Sequence, residues 1–379
     1  MIPVNEPLLN GNEQKYLKEC IDTGWISSEG PFVEQFEEKM AAAVGRRHGI
    51  AVCNGTAALE LAVAALDLQP GDEVVMPTFT IISCAAALVR RGCVPVLVDS
   101  DPLTWNLDVE KLRSKLEDEI EVKQNRRIKA IMVVHIYGLP VDMDPVLELA
   151  ERYELQIIED AAEMHGQTYK GRPCGSYGAL STFSFYPNKL VTTGEGGMVL
   201  TDDDALAVRC RSLRNLCFRA EKRFVHEELG YNFRITNLQA ALGLAQLERL
   251  EECVARKRRI GRTYTELLGG VDGLEFMPQE TSYAENLFWV YGLVLKDEVS
   301  FDAEEAMRRL KRQGLGSRPF FWPMHEQPVF RKMRIFSEER FPVAERLARR
   351  GFYLPSGMAL TQGQMEEVAG AVKNLMNEG

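Results

Sequence analysis

Residues 181–197 read STFSFYPNKLVTTGEGG. Ser181 to Phe185 is a β-forming, aromatic run, and it ends before Pro187, which cannot donate to a sheet ladder. One amine, Lys189, follows, and then a loop of threonines and glycines. A strand-end lysine is most often a surface residue with a snorkelling chain. Here Ser184 lies in the apolar run before it and TTGEGG comes after it. Such a setting suits a lysine made nucleophilic by a desolvated site.

Similar short runs recur on both sides. Strands are predicted at Gly49–Cys53, Glu73–Met76, Val94–Val98, Lys129–His135, Gln156–Glu159, Ser181–Phe185 and Gly197–Leu200. Several are apolar without alternation, the pattern of strands covered on both faces. Helical segments such as Ala57–Leu66 and Met143–Arg152 separate them. Alternating elements of this kind predict an α/β fold with a mostly parallel seven-stranded sheet. A long helix is predicted from Thr236, where TNLQ forms a capping box between Thr236 and Gln239. Its apolar residues fall around much of its circumference, so it is predicted to be buried. Beyond it, NLFWVYGLVL reads as a strand, and AEEAMRRLKRQ and VAERLARRG read as helices. A large domain is therefore expected over 1–249 and a smaller α+β domain over 250–379.

In open α/β sheets ligands sit beyond the carboxyl ends of the strands. Asn54-Gly55-Thr56 follows the first strand and opens a helix. A helix start offers free N–H groups to a phosphate, and Gly55 permits close backbone approach. A capped helix start without a ligand is the plainer reading. Asp160 ends the fifth strand, with Glu163 three residues on. A carboxylate there is an N-cap or the counter-ion of a buried cation. His165 reads as a structural histidine or a base. Taken together, a helix start with Ser184 can hold a phosphate, Asp160 can pair with a pyridinium nitrogen, and Lys189 can form a Schiff base. Those are the parts needed to hold pyridoxal 5′-phosphate.

Bulk properties agree with a globular chain. It has 379 residues, 45% hydrophobic and 26% charged, with a formal charge of −10. That charge disfavours a nucleic-acid partner. The basic run Arg256-Lys257-Arg258-Arg259 is predicted to be the solvated face of a helix. Eight cysteines at 20, 53, 84, 93, 174, 210, 217 and 253 show no C-x-x-C spacing, so neither a disulfide framework nor a zinc site is expected. No metal is expected. No signal peptide and no membrane-length apolar run are evident, which predicts a cytoplasmic protein without membrane contact.

The stretches NGTAALELA (54–62), GDEVVMPTFT (71–80), VHIYGLPVDMD (134–144), IIEDAAEMHG (157–166), STFSFYPNKLVTTGEGGMVLT (181–201) and LGYNFRITNLQAALGLAQL (229–247) occur in that order. With TGWISSEGPFVEQFE (23–37) before them, they resemble the DegT/StrS family of sugar-nucleotide aminotransferases over nearly the whole chain. The resemblance implies the aspartate-aminotransferase-type fold of pyridoxal-phosphate enzymes and a homodimer with shared active sites. It implies that Lys189 is the Schiff-base lysine, that Asp160 pairs with the pyridinium, and that Glu163 lies near the phenolic oxygen. It gives the phosphate to Ser184, Gly55 and Thr56, and has Asn232 reach the phosphate of the neighbouring subunit's cofactor. Some relatives are dehydratases with histidine at the lysine position; Lys189 favours transamination here.

Within the family, the runs YNFRITNLQAALGLAQLE and SRPFFWPMHEQPVF resemble members that aminate GDP-4-keto-6-deoxymannose, with glutamate as donor. A UDP- or dTDP-linked keto sugar, aminated at C3 or C4, is the alternative. A catalytically silent regulatory protein on the same fold is another. Trp25, Arg219, Arg318 and His325 are candidates for the nucleotide-sugar pocket, the two arginines as partners of a diphosphate. Ile81 departs from the pattern, since many relatives place an aromatic ring there against the cofactor.

Overall fold

The structure, a computed structural model, describes residues 1–219, 221–336 and 339–377. Its main sheet has seven strands: β1 (His48–Val52), β2 (Glu73–Pro77), β3 (Val94–Val98), β4 (Ile128–Val134), β5 (Gln156–Asp160), β8 (Leu180–Ser184) and β9 (Gly197–Thr201). A small hairpin, β6 (Thr168–Tyr169) with β7 (Arg172–Pro173), stands apart from it. The strand order is β1-β9-β8-β5-β4-β2-β3. Strands β8, β5, β4, β2 and β3 are parallel, and β9 runs against both β1 and β8. Hence β1 runs the same way as β8. The carboxyl ends of β1, β2, β4, β5 and β8 therefore open onto one edge, and that edge carries the site.

The sheet is covered on both faces, which explains the unbroken apolar runs. Ile50, Val74, Met76, Met132 and Ile158 pack into one buried cluster, while Ala51, Val75, Ile131, Val133 and Ile157 pack into another. Helices supply both layers. The helix Gly55–Ala65 is capped by Asn54, whose side chain accepts the N–H of Ala57. The capping box at Thr236 forms, and the helix behind it is buried over most of its surface. That helix spans only Asn237–Leu247, however, and a second, Leu250–Leu268, leaves it as a separate element.

The C-terminal part of the chain forms a four-stranded antiparallel sheet, β10 (Leu274–Phe276), β11 (Tyr291–Leu295), β13 (Gly351–Leu354) and β12 (Arg318–Pro319), in that order. The first residues of the chain join this part: Ile2 bridges Leu315, and the N–H of Ser356 donates to Val4. The basic run is not a solvated face. Arg256 donates to the carbonyls of Met358 and Leu360, Lys257 is buried against the carbonyl of Ser356, and Arg258 reaches Gln167 and Glu285. Only Arg259 of the four is exposed. All eight cysteines are free, and all but the part-buried Cys53 are buried. Among the described residues no helix is long and apolar enough to cross a membrane.

Candidate active site

A cavity of about 650 Å³ opens at the common edge of the strands, lined by residues from the ends of β1, β2, β4, β5 and β8. Gly55 and Thr56 open their helix on its wall. Their N–H groups belong to the first turn and have no intrahelical acceptor. A Cβ on Gly55 would stand 2.8 Å from the Cβ of Ser184, so helix start and strand end meet without space for a side chain. The Thr56 hydroxyl lies 2.8 Å from that of Ser83. Free amides, hydroxyls and the positive end of a helix make this corner suited to a phosphate.

Asp160 is the last residue of β5 and is 3% exposed. Its Oδ1 accepts the N–H of Ala162 at 3.0 Å, and its Oδ2 accepts the thiol of Cys84 at 3.2 Å. Burial nonetheless raises its pKa, with the Ala162 and Cys84 hydrogen bonds and the Lys189 charge pulling the other way. An anion held at that cost calls for a cation beside it. Glu163 Oε2 accepts the N–H of Tyr137 at 2.6 Å, and its Oε1 lies 3.7 Å from Lys189 Nζ. Burial pushes Glu163 up and Lys189 down, each opposed by the other's charge. Lys189 is turned into the cavity by a tight turn in which its N–H donates to Tyr186. A buried amine whose ammonium form is disfavoured is the reactive state of lysine.

His165 is fully buried between the rings of Phe183 and Phe185. Burial first, and then the charge of Lys189, lower its pKa to about 3, so it stays neutral. Neither ring nitrogen makes a hydrogen bond of normal geometry among the described residues, and so low a pKa leaves it a weak base.

The structure brings Gly55, Thr56, Asp160, Glu163, Ser184 and Lys189 to one cavity. Ile81 lines it too and is 43% exposed. The other candidates stand elsewhere. Asn232 is exposed and bridges Asn215. Trp25 is half-exposed, and its carbonyl accepts from Asn237 at 2.7 Å. Arg219 pairs with Glu227 on the surface. Arg318 sits opposite Tyr353 in the β12–β13 register; Tyr353 lines the cavity and Arg318 does not. His325 is buried between Thr78 at 2.9 Å and Glu345 at 3.3 Å, and it faces a second, arginine-rich cavity of about 860 Å³.

Sequence reasoning missed the aromatic wall: Trp289, Phe321, Tyr353, Tyr186 and Phe233. Trp289 and Phe321 were signalled only by aromatic density in NLFWVY and PFFWP, which also suits a core, while Tyr186 stands in the stretch that carries Lys189. The arrangement can hold a molecule with a phosphate, a carbonyl carbon within reach of an amine, and a basic ring nitrogen to face a carboxylate. Pyridoxal 5′-phosphate fits that description, and the Gly55 cradle and the buried Asp160 anion are the features that fit it.

Comparison with known proteins agrees. The profile of the DegT/DnrJ/EryC1/StrS aminotransferase family matches residues 7–373. The chain is 41% identical over 375 residues to a GDP-perosamine synthase of Caulobacter vibrioides, covering 99% of this chain and 98% of that one. It is 38% identical to a GDP-perosamine synthase of Vibrio cholerae, over the full length of both. Among solved structures it superposes on the aminotransferase TlmJ of Streptoalloteichus hindustanus with a TM-score of 0.90, at 30% identity, covering 100% of this chain and 99% of that one.

Proposed function

The chain belongs to the DegT/DnrJ/EryC1/StrS aminotransferase family, and from that premise we propose that it moves an amino group from glutamate to the keto carbon of GDP-4-keto-6-deoxymannose, giving GDP-perosamine. It is a sugar-nucleotide aminotransferase. The choice of sugar rests on the two GDP-perosamine synthases it resembles over their full length. The observation that carries the site assignment is the convergence of Lys189, Asp160, Glu163 and Ser184 on one cavity.

Pyridoxal 5′-phosphate, when bound, supplies an aldehyde that carries the amino group and an electron-poor ring that takes up electrons from the substrate carbon. The amides of Gly55 and Thr56 and the hydroxyl of Ser184 hold its phosphate. Asp160 would pair with the ring nitrogen and favour its protonated form. Glu163 would stand beside the ring hydroxyl. Lys189 is the amine that would hold the aldehyde and, when free, would carry a proton to and from the substrate carbon. Such proton transfer contributes ~10²–10⁴-fold. The same residues act in reverse on the keto sugar. Asn232 of one protomer completes the phosphate site of its partner in a homodimer. Arg318, opposite the cavity-lining Tyr353 in the β12–β13 register, pairs with the diphosphate.

The test is product analysis by mass spectrometry with purified protein, pyridoxal phosphate, glutamate and a panel of GDP-, UDP- and dTDP-linked keto sugars. Formation of the amino sugar only from the GDP substrate is expected; preference for another nucleotide overturns the choice of sugar. Borohydride should fix the cofactor to the peptide carrying Lys189, and Lys189→Ala should abolish both fixation and turnover.

A further inference from the structure

We propose that the indole face of Trp289 is the seat of the Lys189 amine whenever that amine is not bonded to cofactor, which makes Trp289 a positioning residue for the proton transfer. The inference rests on the reading of Lys189 given above. Lys189 Nζ lies 3.8 Å from the centroid of the Trp289 ring, well inside the range of a cation–π contact. The nearest carboxylate attracts the amine by charge, without a hydrogen bond of normal length. Glu163 is 3.7 Å away, beyond hydrogen-bond length, and its other oxygen is taken by the Tyr137 amide. Asp160 has both oxygens engaged, by Ala162 and by Cys84. Burial holds the Cys84 thiol, whose charge would also bear on Lys189, well above its ordinary value, and His165 is neutral at working pH.

The ring itself is fixed. Its Nε1–H donates to the carbonyl of Asn188 at 2.9 Å, so the residue preceding Lys189 in the chain holds the ring that Lys189 rests on. Tyr137 stacks on it at 6.1 Å with an interplanar angle of 27°. A Cβ on Gly138 would stand 2.5 Å from the Trp289 backbone nitrogen, so the backbone is pinned as well. Trp289 is 3% exposed. The chemical argument is that a ring face attracts an ammonium group but has no lone pair to accept its proton. A carboxylate at hydrogen-bond distance would compete for that proton. An aromatic seat leaves the amine free to give it to carbon and take it back, while holding the amine where the transfer happens.

The experiment uses the full-length protein stripped of cofactor. Acetic anhydride labels unprotonated amines, and peptide mass spectrometry gives the pH midpoint of Lys189 alone. Trp289→Met should lower that midpoint by about 0.5–1 unit, because the ammonium loses its seat. Trp289→Phe, which keeps a ring face, should stay within about 0.3 units of the unsubstituted protein. A purely packing role moves the midpoint the other way. Shortening the side chain admits water, and burial is what depresses this amine. An unchanged or raised midpoint in Trp289→Met, or an equal fall in Trp289→Phe, overturns the proposal. Lys257, buried on the helix Leu250–Leu268, is read in the same spectra as a monitor of folding: its midpoint in each variant should match that in the unsubstituted protein. Should it revert to that of an ordinary lysine in Trp289→Met, Trp289→Leu takes its place under the same criteria. Borohydride fixation in the unsubstituted protein separates the two claims. Its failure removes the assignment of Lys189, whereas fixation with an unmoved midpoint removes only the role of Trp289.

Discussion

Gly55 and Ser184 are pressed together at the rim of the cavity: a Cβ on the glycine would stand 2.8 Å from the serine Cβ and 3.0 Å from its hydroxyl oxygen. The first predicted outcome follows from that contact. Gly55→Ala must displace Ser184 and is expected to weaken pyridoxal phosphate binding by at least ~10-fold, since a hydrogen bond to a charged group is worth about 1.5–3 kcal/mol. Ser184→Ala should weaken it by ~10–100-fold on the same footing. Fluorescence titration with pyridoxal phosphate and with unphosphorylated pyridoxal checks both. Only the phosphorylated ligand should discriminate the variants; an equal loss for both ligands would place the phosphate elsewhere.

Asp160 separates stability from activity. Its folded-state pKa is raised by burial. A raised carboxyl pKa contributes stability below the unfolded value of about 3.9 and loses it as pH rises through the folded value. In the cofactor-free protein, then, the ionised Asp160 is a liability at neutral pH. Asp160→Asn should leave thermal stability unchanged or raised by about 1 kcal/mol at pH 7, with a smaller gain at pH 4. Turnover of the loaded enzyme should fall by at least ~10²-fold, because the amide cannot hold the ring nitrogen protonated. Calorimetry of the stripped protein and steady-state kinetics decide. A strongly destabilised apo-variant would show that the carboxylate is structural.

Much of this architecture was legible in the chain because it follows from local rules. All seven strands of the main sheet were located to within about a residue, since doubly covered strands show as apolar runs closed by turn residues. The residues after those runs then mark the site, because parallel strands bring their carboxyl ends to one edge. What escaped came from elsewhere in the chain. Trp289, two residues before β11, and Tyr353, on β13, reach the cavity from the second sheet, and no local pattern says where that sheet docks. The hairpin Thr168–Tyr169/Arg172–Pro173 is too short to have a period. The basic run was misread for a different reason. Lys257 stands four residues after Cys253 and three before Ile260, both buried, so helical spacing puts it on the inner face despite its charge.

Ile81 departs from the pattern that the family resemblance implies, a ring against the cofactor, and lines the cavity with an aliphatic side chain, 43% exposed. The opening is large enough to receive a ring. Ile81→Phe is expected to tighten cofactor binding by ~2–10-fold, the effect of an added aromatic pair of about 0.5–1.5 kcal/mol. The dissociation rate measured on dilution should slow accordingly. A faster rate would mean that Trp289, Phe321 and Tyr353 already crowd the ring.

Lys257 gives the sharpest pH signature. It is buried on the helix Leu250–Leu268, its amine donates to the carbonyl of Ser356, and burial lowers its pKa from 10.5 to about 7. In the folded chain the amine is neutral above about pH 7; in the unfolded chain it is neutral only above 10.5. Between these values only the unfolded chain holds the proton, so stability rises with pH across the window and is flat at its lowest below about 7. Lys257→Met removes the burden and fills nearly the same volume. It should stabilise the protein by about 1–3 kcal/mol at pH 7, the desolvation penalty being partly offset by the hydrogen bond to Ser356. Toward pH 10.5 the gain should vanish and become a loss of about 1 kcal/mol, because the Ser356 carbonyl is left without its donor. Urea unfolding at pH 7, 8.5 and 10 measures the difference directly. A difference independent of pH would mean that the amine stays charged in the folded protein, held by the Ser356 carbonyl strongly enough to cancel its burial.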